Sequence, residues 1–505
     1  MPTAADAYAD LVGRVKEAAL LNSCGAVLGW DERTYMPRQG SSLRGEQMAL
    51  LARLAHQMMT DEHIGANLAA VEGSPLVADP DADAAANVRE IRRAYDRARK
   101  LPKELVEELA RTTIRAQGAW QEARQNNDFA TFRPWLEKVV ALKRQEADAV
   151  GYRDHPYDAL LDEYEPGATA REIRSVFVAL AAELVPLIEA VTGSGRQPRH
   201  NVLERDYPVD LQKVFSQEAA AAIGFDFQAG RLDVTTHPFC SGVGPGDCRL
   251  TTRYNPRFFN EAFFGTLHEA GHGIYEQGLD PEHFGTPRGS ACSLGIHESQ
   301  SRLWENQVGR GQPFWEHFFP RARQVFPAAL AGVALDDWMF AVNEVKRSFI
   351  RVEADEATYN LHIILRFELE QDLLTGNLKP ADVPGAWNER FGRLLGLTPP
   401  DDKLGCLQDI HWSMGGIGYF PTYTLGNLYA AQFMERARQD LPGLEDDFRR
   451  GEFARLKGWL NDKVHLPGQK YRPNDLCRRV TGSPLGHGPL VAYLRQKYGR
   501  LYGVG

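Results

Sequence analysis

The sequence predicts a mainly α-helical fold with a small β element, and two observations carry that prediction. Long stretches rich in Ala, Leu, Glu and Arg place apolar residues at helical spacing, as in KELVEELARTTIRAQGAWQEARQ (103–125) and PWLEKVVALKRQEADAVG (134–151). A short region rich in Thr and Val then breaks that texture: RLDVTTHPF (231–239) and DCRLTTRY (247–254) read as two strands, and CSGVGPG (240–246) reads as the turn of a hairpin.

The N-terminal half reads as a series of amphipathic helices, broken at GSPLVADPDAD (73–83) and TGSGRQP (192–198), both built from turn formers that suit surface connections. A further helix starts near Val209 and stops at Gly224, a residue suited to the left-handed cap position. The G-x-G-x-x-G spacing is missing from GVGPG, so a hairpin turn is preferred there to a phosphate loop. Helices return from Glu261, and in VEADEATYNLHIILRFELEQDLL (352–374) the residues Leu361, Leu365, Leu369 and Leu373 form a stripe at i, i+4 that reads as core. No repeat or low-complexity tract interrupts the pattern. The whole of 1–505 therefore reads as a single domain, with an N-terminal helical part (1–230) and a part carrying the β element and most motifs (231–505).

The 505 residues are 43% hydrophobic and 25% charged, the composition of an ordinary globular protein. A net charge of −9 argues against a nucleic-acid partner, which needs a dominant basic face. The N-terminal segment carries acids early and lacks the basic-then-apolar pattern of a signal peptide. No uninterrupted apolar run of about 18 residues is found, which argues against a transmembrane helix. The six cysteines form no C-x-x-C pair; Cys240 and Cys248 flank one loop, but reduced thiols and a cytoplasmic location are the simplest expectation.

Chemistry concentrates in HEAGH, His268 to His272. On a helix two histidines four apart share one face and can grip one ion, while Glu269 lies beside them, placed to take a proton from water and not to ligate. The plain alternative is a pair of structural helix histidines. A catalytic metal needs a third protein ligand, and Glu298 in GIHESQSRLWEN follows His272 by 26 residues, enough for a loop and a returning helix. His297 and Glu305 are rivals, and either of Glu298 and Glu305 could stand behind the other as an outer partner. The extended metzincin pattern fails, because Tyr275 and Gly278 stand where it needs Gly and His. Gly271 and Gly273 each cost about 1 kcal/mol in a helix, a sign that another backbone or a ligand comes close.

Several ordered motifs are similar to those of the carboxypeptidase Taq family of thermostable metallocarboxypeptidases. HPF stands at 237–239, D-x-R-x-T at Asp247, Arg249 and Thr251, HEAGH at 268–272, and HESQ at 297–300. IRVEAD follows at 350–355 and GCLQDIHW at 405–412, and LGWDERTYMPRQG (28–40) looks like the family's opening. The resemblance implies a saddle-shaped helical domain with a deep groove, a homodimer, and a zinc or cobalt ion used to trim C-terminal residues of peptides with broad specificity. It implies that His268, His272 and Glu298 are the metal ligands and Glu269 the general base. It also implies that Arg249 and Arg351 receive the substrate's terminal carboxylate or limit its reach.

Guanidinium suits that task because it holds a carboxylate in a two-point fork, although a helix ion pair of Arg351 with Asp355 at i+4 and an exposed strand position for Arg249 are the ordinary readings. His411, Tyr419 and Tyr423 are candidate donors to the oxyanion, clustered around a glycine-rich turn with Pro421 opening the next helix. His237 is a candidate groove residue or a packed structural histidine. Two other classes of function stand beside the carboxypeptidase. One is a metallo-oligopeptidase cutting internal bonds; the other is a binding protein with a structural zinc, disfavoured because such sites are usually closed and rich in cysteine.

Overall fold

The computed structural model describes residues 3–504, apart from the side chain of His200. Its first helix, α1 (Ala4–Thr34), starts where the Thr3 hydroxyl accepts from the Asp6 amide and the Asp6 carboxylate accepts from the Thr3 amide. This reciprocal cap satisfies two of the donors that every helix start leaves open.

The chain forms two compact units, each assembled from separate stretches. One comprises Met1–Arg99, Pro198–Val342 and Phe433–Gly482; the other comprises Lys100–Gln197, Asn343–Gln432 and Ser483–Gly505. The units therefore cut across the division of the sequence at 230.

In the first unit, α2 (Val209–Ile223) ends as its glycine implies, with Gly224 at φ 110°. Three strands follow: β1 (Gly230–Val234), β2 (Cys240–Gly244) and β3 (Asp247–Thr252). Their order is β1-β3-β2, with β1 parallel and β2 antiparallel to β3. This corrects the two-strand expectation. The stretch CSGVG forms a strand because β3 supplies hydrogen-bonding partners to a segment with little β propensity of its own, and the turn shrinks to Pro245 and Gly246, the latter at φ 81°. Cys240 and Cys248 face each other with sulfurs 3.6 Å apart and remain free thiols.

Helix α3 (Phe259–Gly278) packs on β3 and α2 and carries HEAGH. Its first turns are locked by rings: Phe259 and Phe263 lie among Phe215, Trp315, Phe326 and Trp338, with centroids about 5–6 Å apart. Helix α4 (Leu294–Arg302) begins at Ser293, whose hydroxyl accepts from the Ile296 amide at 3.0 Å. It passes into a π-helical turn over Leu303–Val308. Such wide turns recur at functional sites.

In the second unit, helices Lys103–Asn126 and Phe129–Val150 pair across Asn127, which takes the left-handed conformation (φ 54°). At its centre lies α5 (Tyr359–Thr375), where Leu361, Leu365, Leu369 and Leu373 are all buried as their stripe requires. Asn360, His362, Arg366 and Glu370 are buried too, so this helix is enclosed on its polar side as well. Helix α6 (Pro421–Asp440) begins at its proline. Helix Ala170–Gly193 is long and apolar enough for a membrane span by length and composition alone, with two charged residues inside its apolar stretch. Glu183 and Glu189 interrupt its apolar run, and it buries Phe177, Leu180, Leu184 and Ile188.

Candidate active site

Helix α3 sets His268 and His272 one turn apart with ring centroids 4.9 Å apart. Helix α4 comes against the same face so closely that a Cβ on Gly271 would lie 2.6 Å from the Gln300 carbonyl oxygen and from the Ser301 Cα. Gly273 leaves room in the same way for Phe225 and Leu250. Both glycines thus have a packing reason that offsets their cost in a helix. The close approach brings Glu298 Oε2 to 3.3 Å from His272 Nε2 and 3.6 Å from His268 Nε2. Donor atoms of the three residues lie within 4.8 Å of one another. Two imidazole nitrogens and one carboxylate oxygen make a donor set that fits a divalent transition-metal ion, whereas magnesium and calcium favour oxygen ligands throughout.

The rivals for the third position face elsewhere. Glu305 Oε2 meets His268 Nδ1 at 2.9 Å. His297 is held at Nε2 by Glu276 Oε1 at 2.7 Å, and its Nδ1 lies 2.6 Å from His272 Nδ1. The His297 backbone oxygen is 3.1 Å from that same His272 nitrogen. His268 and His272 therefore each have Nδ1 engaged and Nε2 turned toward Glu298, an arrangement of the kind by which outer partners orient metal-binding histidines.

Electrostatics sharpen these roles. Burial raises the Glu298 and Glu305 carboxyls, but Arg302 and His268 outweigh it and hold both below the ordinary carboxylate range. Burial and the neighbouring His297 bring His272 down to about 3, which leaves its imidazole neutral. Glu269, 6% exposed and next in the chain to His268, is pushed up to about 7 by burial. A carboxyl poised near neutrality suits a group that takes and returns a proton.

A second cluster lies within the other unit. IRVEAD is not helical there: Arg351 sits in a single 3-10 turn between extended residues Ile350 and Ala354. Its partner is Asp409 (Nε and Nη2 at 3.0 and 2.7 Å), and Nη1 donates to the Tyr359 hydroxyl at 2.8 Å. This corrects the i+4 pair, since Asp355 instead caps the start of α5, accepting from the Ala357 and Thr358 amides. Asp409 also binds Arg366, whose side chain is fully buried. His411 Nε2 is 3.3 Å from the Tyr423 hydroxyl, and burial lowers this imidazole to about 4. Tyr419 lies 5.4 Å from both the His411 and the Tyr423 rings, and the Arg351 guanidinium sits 4.9 Å from the Tyr423 centroid. The sequence candidates Arg351, His411, Tyr419 and Tyr423 thus form one group.

Arg249, on β3, is not the exposed strand residue of the ordinary reading. Its guanidinium grips Asp247 at 2.8 and 2.7 Å and stacks 4.4 Å from the Trp30 ring centroid. His237 is exposed on the loop between β1 and β2, which corrects its reading as a packed histidine: the loop turns it outward before β2 begins. Residues the sequence did not single out are Glu276, Arg302, Arg310, Arg366 and the partnership of Asp409. Arg302 carried a signal, as it follows Glu298 by four residues on one helix face.

Over residues 10–498 the chain matches the family model described as carboxypeptidase Taq (M32) metallopeptidase. It is 52% identical to thermostable carboxypeptidase 1 of Thermus thermophilus, covering 98% of this chain and 99% of that protein. It is 38% identical to carboxypeptidase 1 of Bacillus subtilis, covering 98% of each. The crystal structure of an M32 carboxypeptidase from Deinococcus radiodurans superposes with a TM-score of 0.95 at 43% identity, covering 99% of this chain and 100% of that one. With that fold, that span of similarity and a donor set suited to a divalent ion, the chain belongs to the carboxypeptidase Taq (M32) metallopeptidase family and is a metal-dependent carboxypeptidase.

Proposed function

We propose that His268, His272 and Glu298 hold one divalent ion, zinc first and cobalt second, and that Glu269 is the general base in the removal of C-terminal residues from peptides. The observation that carries the reading is the convergence of two Nε2 atoms and Glu298 Oε2 beside a buried carboxyl poised near neutrality. A bound ion supplies Lewis acidity to the attacking water and to the scissile carbonyl. Glu269 takes the water proton on a carboxylate oxygen and returns it to the leaving amine. Glu305 and the His297 carbonyl keep the two ligand rings in the tautomer that leaves Nε2 free to bind.

His411, Tyr419 and Tyr423 supply donors to the oxyanion, a role supported by their grouping around Arg351. Arg351 and Arg249 recognise the substrate's terminal carboxylate, and His237 lines the approach. Both guanidiniums already hold an aspartate, so a substrate carboxylate would join or displace Asp409 or Asp247. A homodimer in the cytoplasm, acting on peptides without a nucleic-acid or membrane partner, completes the reading. The net charge of −9 supports the lack of a nucleic-acid partner and the six free thiols support the cytoplasmic location, while the homodimer rests on the family resemblance.

The test is a mass-resolved ladder of products from an unblocked peptide and its C-terminally amidated twin, with and without chelator. Charge-assisted bonds to the terminal carboxylate contribute about 1.5–3 kcal/mol, so amidation should lower kcat/KM roughly tenfold to a hundredfold. Equal cleavage of both peptides at internal bonds would replace the exopeptidase with an oligopeptidase.

A further inference from the structure

Glu298 offers its two carboxylate oxygens to different partners. Oε2 faces both His268 Nε2 and His272 Nε2 and also lies 3.1 Å from the Ser301 hydroxyl. Oε1 receives Arg302 Nε at 2.7 Å. The same guanidinium reaches Glu305 Oε2 with Nη1 at 3.2 Å, the oxygen that also meets His268 Nδ1. Arg310 closes the far side, with Nη2 3.4 Å from Glu305 Oε1 and its guanidinium 3.7 Å from the Phe264 ring centroid. Arg310 stands five positions after Glu305, just beyond the π-helical turn over Leu303–Val308 that carries Glu305.

We propose that Arg302 is a positioning residue that confines Glu298 to one metal-binding oxygen, Oε2, and so keeps a coordination position open for water and substrate. The inference rests on the reading of His268, His272 and Glu298 as metal ligands. A carboxylate can bind an ion through one oxygen or two, and the second would fill a place that a catalytic centre needs open. Arg302 Nε occupies Oε1 and competes with the ion for that oxygen. The side chains concerned are 15% (Arg302), 8% (Glu298) and 11% (Glu305) exposed, so water competes poorly for the same lone pairs. Two carboxylates also face two guanidiniums, a balanced set that leaves the ion's positive charge unquenched. Lysine could not replace Arg302, because the bridge uses Nε on one carboxylate and Nη1 on another, and an ammonium is a single point.

The test uses the full chain loaded with cobalt, whose visible absorption weakens several-fold as coordination rises from four to five. In R302M, Glu298 should turn both oxygens to the ion. The absorption should weaken at least about twofold and cobalt should remain stoichiometric with affinity no weaker than in the parent. The value of kcat should fall roughly tenfold, with KM within about twofold. R302K keeps the charge and should shift the spectrum in the same direction by less, which keeps the test open if methionine disturbs folding. A parent-like spectrum in R302M or R302K overturns the proposal. So does loss of cobalt affinity together with activity, the signature of a merely structural arginine. Full-affinity cobalt binding by E298A would fail the underlying ligand assignment instead, and is read separately from the arginine variants.

Discussion

Replacing Asp409 with asparagine should destabilise the protein more than removing either arginine that it binds. Asp409 Oδ1 accepts from Arg351 at 3.0 and 2.7 Å, and Oδ2 accepts from Arg366 Nε at 2.7 Å. The side chains are 12% (Asp409), 6% (Arg351) and 0% (Arg366) exposed. Two buried cations share one anion, so the cluster carries a surplus of one positive charge even when intact. Asparagine keeps one acceptor and no charge, leaving two guanidiniums facing each other in a poorly hydrated place. Breaking a buried pair costs about 3–5 kcal/mol, and two stranded cations put the expected loss at the upper end of that range. For a chain of 505 residues this is a fall in Tm of about 3–5 °C, at roughly 2.1 cal/mol/K of unfolding entropy per residue. R351M leaves Arg366 and Asp409 as a balanced pair and should cost less. Urea unfolding followed by tryptophan emission reads both variants. Burial opposes the Asp409 charge, but Arg351 and Arg366 outweigh it and hold the carboxyl far below its ordinary value of 3.8. A lowered folded pKa gives stability that is present above the unfolded pKa and lost only as pH falls through the folded one, so the D409N deficit should persist from pH 7 to about pH 4.5. A D409N deficit under about 1 kcal/mol, or an R351M deficit larger than that of D409N, would refute the surplus-charge argument.

E269Q should retain stoichiometric metal yet lose about 10²–10⁴-fold in kcat, because the amide cannot take the water proton; elemental analysis beside steady-state rates checks this, and near-normal turnover would refute the base assignment. G271A should cost about 1–3 kcal/mol and weaken metal binding, since its methyl would force α4 and Glu298 away from α3; unchanged metal content at unchanged Tm would refute that packing. Glu370, fully buried, is pushed up to about 7 by burial, even though Tyr157, Trp412 and the Gly418 amide donate to it. A raised carboxyl pKa means that the native state holds the proton more tightly, so stability should fall as pH rises from about 4.5 to 7, by up to about 3 kcal/mol. E370Q should lose that slope between pH 5 and 7.5, whatever its constant cost, and Tm against pH shows whether it does.

The parts of this molecule that its sequence made legible are those set by short-range rules. The i, i+4 leucines of α5, the glycine stop of α2, the proline start of α6 and the shared face of His268 and His272 depend on residues within a turn or two of each other. Strand β2 was illegible for the opposite reason: CSGVG has little preference of its own and is extended because β3 pairs with it. The parallel pairing of β1 with β3 likewise joins segments that local turn chemistry cannot connect. Polar partnerships divide in the same way. Local spacing offered Asp355 to Arg351, but the turn over Arg351–Glu353 breaks the helix that rule assumes, and the actual partner lies 58 residues onward. Local spacing also left Glu298, His297 and Glu305 as alternatives, because all three occupy one short stretch. What separates them is the approach of α3 at Gly271, which turns Oε2 of Glu298 inward while His297 meets Glu276 and Glu305 meets His268. The glycine at 271 inside HEAGH was therefore an informative local signal: the helix gives up about 1 kcal/mol there, and what comes close is the backbone carrying the candidate third ligand.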